Sequence, residues 1–251
     1  MRVLELFSGI GACSVALTRL GIEHEIVDAV EIDKYAMASF NAIHGTNFEP
    51  QDITTWDKDL TDIDLICGGF PCQDISVAGK QAGIVKGKTR SGLMYEMMRI
   101  IKKIQPKYIV TENVKNLMSE KYMPKLQEYI KFLENNNYEV SLAVLNARDY
   151  DIPQNRERVF IVAYKKELNK LFKMPLPIRR TKSIKDIFDF FKKVDEKYYY
   201  KPGKYKGNIY ELLLEAMDDD KTVYQWRRKY VRKNRSNLIP TLTANMGLRR
   251  A

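Results

Sequence analysis

Histidine is nearly absent: His24 and His44 are the only two in 251 residues. Two imidazoles nearly exclude a Ser-His-Asp type of relay and a histidine-rich metal centre. Cysteine is scarce as well. Cys13, Cys67 and Cys72 are odd in number, and their spacing fits neither a disulfide framework nor a zinc site, so no metal is expected. Long apolar runs are missing too; none approaches the roughly 18 residues of a membrane-crossing helix. The opening Met1-Arg2-Val3-Leu4-Glu5 turns acidic too early for a secretory signal, which makes a cytoplasmic location the expectation. If the chain is an enzyme, its nucleophile and its acid must come from residue types other than histidine.

What is present is an ordinary globular composition, 45% hydrophobic and 29% charged, with a net charge of +10. The charge is unevenly placed. Residues 1–164 hold 19 Lys and Arg against 22 Asp and Glu, whereas residues 165–251 hold 23 against 10. A basic second part beside a near-neutral first part fits a polyanion partner, or else a solvated lysine-rich surface.

Along the chain, apolar strand-like runs alternate with helix-like stretches. Arg2–Phe7, Glu25–Val30, Ile63–Cys67 and Tyr108–Thr111 read as strands, with later ones at Glu139–Asn146 and Val159–Tyr164. Helices are expected to Leu20, over Asp33–Ile43, over Leu93–Ile104 before Pro106, and over Tyr122–Leu133. Residues 68–92, rich in Gly and polar groups, read as a long loop. This alternation predicts an α/β fold, a Rossmann-like doubly wound sheet whose ligands lie beyond the carboxyl ends of the strands. After Tyr164 the pattern gives way to Lys, aromatics and Pro, which sets a domain boundary near 165.

Polar motifs fall at the expected strand ends. Phe7-Ser8-Gly9-Ile10-Gly11 follows the first strand and opens a helix, where glycines permit close approach of a ligand. Ser14 stands where a dinucleotide fingerprint would carry its third glycine. Glu31 ends the second strand and is placed to accept both hydroxyls of a ribose; Asp52 is placed to bind an adenine amino group. The set fits a nucleoside cofactor without a pyrophosphate, or a turn with incidental acids. Gly68-Gly69-Phe70-Pro71-Cys72-Gln73 puts a thiol after turn chemistry at a strand end, whereas Cys67 sits inside an apolar strand as a small hydrophobe. Glu112, in Thr111-Glu112-Asn113-Val114, faces the same crevice, and Gln154-Asn155-Arg156-Glu157-Arg158 adds two guanidiniums. For each of these the plain alternative is a surface ion pair.

In this order the motifs resemble those of DNA (cytosine-5) methyltransferases. The likeness runs over about residues 1–165 and again over 235–247, where Pro240-Thr241-Leu242-Thr243-Ala244 is similar to the segment organising the family's target-recognition region. The resemblance implies transfer of a methyl group from S-adenosyl-L-methionine to a cytosine flipped out of double-stranded DNA, within a restriction-modification setting in a bacterium or phage. It assigns Cys72 as nucleophile, Glu112 as proton donor to N3, and Arg158, with Arg156 as helper, to the base's O2. Phe7, Gly9, Gly11, Glu31, Ile32, Asp52, Ile53, Pro71 and Leu93 would form the cofactor site. Gln73, Ser76, Arg90, Gln154, Arg228, Lys229, Arg232, Arg235 and Thr241 would meet DNA, and residues 73–92 would be a loop that closes over the base. The implied domains are a catalytic domain over 1–165, a smaller target-recognition region over 166–237, and the start of a returning segment over 238–251.

Two departures from the family pattern stand out. Cys13 occupies a position where many relatives place an aromatic, and Leu248-Arg249-Arg250-Ala251 does not continue the family's returning terminus. The second opens an alternative: a truncated or split-enzyme subunit that binds DNA and needs a complementary C-terminal chain, or self-association, for activity. A nucleotide-binding oxidoreductase is a third reading, opposed by Ser14.

Overall fold

The structure, a computed structural model, describes residues 1–76, 82–189, 192–204, 207–219, 222–227, 230–234 and 238–241. Two compact units emerge. One comprises Met1–Leu145 with Arg158–Pro175, the other Asn146–Glu157 with Leu176–Ala251.

The first unit is built on a six-stranded sheet. Its strands β1 (Arg2–Leu6), β2 (Glu25–Val30), β3 (Leu65–Gly68), β4 (Tyr108–Val114), β5 (Tyr138–Asn146) and β7 (Glu157–Lys165) lie in the order β2-β1-β3-β4-β7-β5. β2, β1, β3 and β4 are mutually parallel, while β4 and β7 are antiparallel. Val3, Leu4, Glu5 and Leu6 are all buried, as expected of a central parallel strand covered on both faces. The strand order reverses direction at β1, since β2 lies on one side and β3 on the other. The loops after β1 and β3 therefore flank a switch-point crevice of the kind that receives ligands in open α/β sheets.

Helices α1 (Ala12–Arg19), α2 (Lys34–His44), α3 (Met94–Ile104) and α4 (Met123–Asn135) connect these strands. Asp33 caps α2 by accepting the backbone N–H groups of Tyr35 and Ala36, and Gly45 stops it at φ 65°. α3 turns Met94, Met97, Ile100 and Ile101 inward at helical spacing and ends at Gln105, one residue before Pro106. The main core joins these side chains to Leu4, Leu6, Ile66, Ile109, Leu126, Tyr129 and Ile161.

The strand and helix expectations hold to within about two residues at most ends. Two differences have physical reasons. β4 runs on to Val114 because β7 pairs with it along its whole length, from Tyr108 opposite Tyr164 to Val114 opposite Arg158. Residues 90–92, read as the end of a loop, wind with Leu93 into a 3-10 turn capped by Thr89, whose hydroxyl accepts the Gly92 N–H.

In the second unit β6 (Gln154–Asn155) pairs in parallel with β10 (Ile239–Pro240), and β8 (Tyr224–Trp226) forms an antiparallel hairpin with β9 (Val231–Lys233). A short helix, α5 (Ile209–Ala216), packs against β9. Asp151 gathers the backbone N–H groups of Thr181 and Lys182.

Candidate active site and cofactor cradle

Antiparallel pairing makes the acid–guanidinium pair. β7 enters the sheet where β4 leaves it, so the start of β7 lies at the carboxyl end of β4. Arg158 stands opposite Val114, and Glu112, two residues earlier, projects from the same face as Val114. This diagonal relation brings Arg158 Nε to 2.8 Å from Glu112 Oε1. Arg158 is 17% exposed and Glu112 37%, so the pair is reachable from solvent while held by the sheet.

The thiol loop runs against the same acid. A Cβ on Gly69 would lie 2.4 Å from the Glu112 carbonyl oxygen and 3.3 Å from Oε2, so only glycine lets the chain pass here. Asn113, buried beside Glu112, donates from Nδ2 to the Phe70 carbonyl at 3.0 Å. Cys72 follows, half-buried, and its carbonyl accepts the N–H groups of Ile75 and Ser76. Cys67 is a different thiol. A hydrogen bond with Cys13, reinforced by burial, pushes it well above the usual thiol range, which keeps it protonated and unreactive near neutrality.

On the far side of the switch point, the Phe7–Gly11 loop turns sharply. Phe7, Gly9 and Gly11 all have positive φ, and Gly11 at φ +80° has His44 Nε2 only 2.0 Å from where a Cβ would be. Glu31 ties this loop to β2. Its two carboxylate oxygens accept the N–H groups of Gly9 (3.0 Å) and Asp33 (2.9 Å). Each oxygen keeps a further lone pair for a ribose hydroxyl. Ser8 Oγ, in the same loop, is buried with no protein partner among the described residues, which a bound polar group would satisfy. Ile32 is exposed, Ile53 is buried in the core, and Pro71 and Leu93 are half-buried. Asp52 is exposed and accepts the Thr54 N–H at 2.9 Å. Taken together, this loop and carboxylate fit a nucleoside group.

Ser14, where a third glycine was sought, is fully buried; its N–H and hydroxyl both bond Glu5. Burial pushes the Glu5 carboxyl up, and these two bonds pull it part of the way back.

Among the residues assigned to DNA, Gln73 and Arg90 meet directly, Arg90 Nη1 donating to Gln73 Oε1 at 2.9 Å. Ser76 is half-buried at the end of the turn begun by Cys72. In the second unit the Gln154 and Thr241 segments form one ribbon, with Thr241 Oγ1 donating to the Asn155 carbonyl at 2.8 Å. Arg156 belongs to this unit, and its N–H is held by Asn146 Oδ1 at 3.1 Å. Arg232 is exposed on β9. Arg228, Lys229, Arg235 and the terminal Leu248–Ala251 lie outside the described residues.

Sequence reasoning missed Asp28. It is 1% exposed and accepts Trp56 Nε1 (2.8 Å) and Gln51 Nε2 (2.8 Å), with Lys58 Nζ at 2.9 Å. It therefore fixes the segment that carries Asp52 and Ile53. The signal was an acid, Asp28, flanked on both sides by apolar residues within β2.

Comparison with known proteins shows the family. Residues 1–247 match the family described as C-5 cytosine-specific DNA methylase. The chain is 39% identical over 250 residues to the type II methyltransferase M.Bsp6I of Bacillus sp. (strain RFL6), spanning 98% of this chain and 78% of that one. It is 33% identical to the orphan methyltransferase M.SPRI of Bacillus phage SPR, covering 98% of this chain and 64% of the relative. Among solved structures, a DNMT2 mutant of Spodoptera frugiperda superposes with a TM-score of 0.63 at 25% identity, over 78% of this chain and 61% of that one. Dnmt2 methyltransferase of S. pombe does so with 0.53 at 28% identity, over 76% and 53%. A pairing of acid and guanidinium at the end of a parallel strand, a thiol loop against it, and a glycine–carboxylate cradle across the switch point are thus found in a chain that belongs to the C-5 cytosine-specific DNA methylases.

Proposed function

We propose that this chain methylates cytosine at C5 in double-stranded DNA, acting on a base flipped out of the helix and held covalently by Cys72. Bound S-adenosyl-L-methionine would supply an electrophilic methyl group. Phe7, Gly9 and Gly11 would line its methionine part, Glu31 would hold the ribose hydroxyls, Asp52 and Ile53 would frame the adenine, and Ile32, Pro71 and Leu93 would pack around it.

Cytosine C5 is a weak nucleophile. Addition of the Cys72 thiolate at C6 forms an S–C6 bond and moves the C5–C6 electron pair to C5, making that carbon reactive toward a methyl group. Electron density also rises along the ring toward N3 and O2. Glu112, carrying a proton when the base is in place, donates it to N3; Arg158 donates to O2, with Arg156 as helper. After methylation, water takes the C5 proton, the C6–S bond breaks to release the Cys72 thiolate, and N3 returns its proton to Glu112, which restores the aromatic ring. A stacked base offers no face for this attack, which is why the cytosine must leave the helix.

The observation that carries the reading is the 2.8 Å Glu112–Arg158 pair set beside the Gly69–Cys72 loop. An acid and a fixed cation beside the loop that carries a thiol suit a pyrimidine bound through N3 and O2 and attacked at C6 on its face. The direct experiment incubates the purified chain with duplex DNA and S-adenosylmethionine carrying a labelled methyl group, followed by nucleoside analysis. Label in 5-methylcytosine supports the proposal; label in adenine or at cytosine N4 would overturn it.

A further inference from the structure

The Cys72 loop is fastened by a second set of residues that the reaction chemistry does not use. Directly after the thiol, two consecutive residues are cross-linked to two consecutive residues on the far side of the loop. Gln73 accepts from Arg90 on the exposed side. Asp74 and Ser91 bond reciprocally on the buried side: the Ser91 N–H donates to Asp74 Oδ2 at 3.0 Å, and the Asp74 N–H donates to Ser91 Oγ at 3.3 Å. Asp74 is 9% exposed and Ser91 0%. Two further donors hold the same turn to the body of the unit. Asn116 Nδ2 reaches the Ile75 carbonyl at 2.6 Å, and Tyr122 Oη reaches that of Asp74 at 3.4 Å. With Asn113 on Phe70, the thiol is bracketed by fastenings two residues before it and two residues after it.

The chemistry explains why such a bracket matters. A thiolate attacks C6 along a narrow path, and misplacement of a reacting atom by about 1 Å can cost on the order of a hundredfold in rate. Chain leaving a strand end has no ladder to fix it; hydrogen bonds to its backbone must do so. A reciprocal side-chain pair across 17 residues also closes the base of the intervening loop, so the thiol's position is set independently of whatever that loop does.

We propose that Asp74 and Ser91 are positioning residues for the Cys72 nucleophile, a buried latch that fixes the angle of the thiol without touching the base. This rests on the assignment of Cys72 made above. A latch of this kind affects the rate of covalent addition and leaves ligand affinity alone, whereas a merely structural pair would lower stability with no selective effect on chemistry.

The test uses the full chain, S-adenosylmethionine and a duplex containing 5-fluorocytosine, which arrests the reaction after addition and methyl transfer because fluorine cannot leave C5 as a cation, and reads the rate of adduct formation under single-turnover conditions. Asp74→Ala should slow adduct formation by about tenfold or more, while dissociation constants for DNA and for S-adenosylhomocysteine stay within about threefold. Asp74→Asn, which keeps an acceptor toward the Ser91 N–H, should recover most of the rate. Ser91→Ala, a milder change that removes only the hydroxyl, should give an intermediate rate and keeps the test open if Asp74→Ala fails to fold. Adduct formation at the parent rate in Ser91→Ala or Asp74→Ala would overturn the latch. So would a slowing matched by an equal loss of both affinities. Absence of any adduct from the parent chain would instead contradict the assignment of Cys72, so the two failures are distinguishable.

Discussion

Glu112 and Arg158 lie 46 positions apart and become neighbours only through the diagonal of an antiparallel pair. On the proposed mechanism their roles separate cleanly. Glu112→Gln removes the proton donated to N3 and should lower the turnover rate by roughly 10²–10⁴-fold, with cofactor affinity little changed. Turnover at the parent rate with collapsed cofactor binding would assign Glu112 to the wrong ligand. Both residues were legible in the sequence as types at strand ends, and so was Cys72. Their pairing was not, because period-two alternation says which face a residue takes and nothing about which strand will lie alongside. Asp74 and Ser91 were illegible for a related reason: short polar side chains in a loop read as turn chemistry until their partner across the loop is known.

At the scale of elements, carboxylates organise both ends of the sheet. Asp28 holds the segment that follows α2 by its Trp56, Gln51 and Lys58 contacts. Asp28→Ala would leave buried donors unsatisfied and should cost about 3 kcal/mol in urea unfolding, with a weaker hold on the cofactor because Asp52 and Ile53 sit on that segment. An unfolding midpoint equal to the parent's would show the network to be dispensable. At the opposite pole of the sheet, Asp64 staples the starts of β1, β3 and β4. A hydrogen bond from Lys107 Nζ at 2.7 Å and then the Arg2 N–H at 2.8 Å hold its carboxyl below the ordinary Asp range. A depressed acid stabilises the fold above its unfolded value and loses that contribution as pH falls through its folded value. Acid titration of Asp64→Asn should therefore show a smaller loss of stability than the parent below about pH 4, the ordinary Asp value; identical acid limbs would contradict the assignment. The sheet itself was readable from its apolar runs; most boundaries moved by one or two residues, and the larger change, at the end of β4, came from its pairing with β7.

For the whole molecule, charge is the property that sequence alone shows best and structure adds to least. The excess of Lys and Arg after residue 165 is plain in composition, while several of the basic residues assigned to DNA lie outside the described residues. If that excess contacts phosphates, the affinity for duplex DNA should fall with salt at a log–log slope near −0.9 per contact. Arg232, exposed on β9, should contribute, so Arg232→Ala should make the slope shallower by about one contact; an unchanged slope would move the DNA surface elsewhere.

The central claim is that Cys72 becomes covalently bonded to cytosine C6. Incubating the chain with S-adenosylmethionine and a 5-fluorocytosine duplex, then mapping the denaturation-resistant adduct by peptide mass spectrometry, tests it most directly. The account predicts a single cross-linked peptide containing Cys72, formed by the parent chain and absent from Cys72→Ala, because fluorine cannot depart from C5 as a cation. An adduct of equal yield from Cys72→Ala, or one mapped to Cys13 or Cys67, would contradict it.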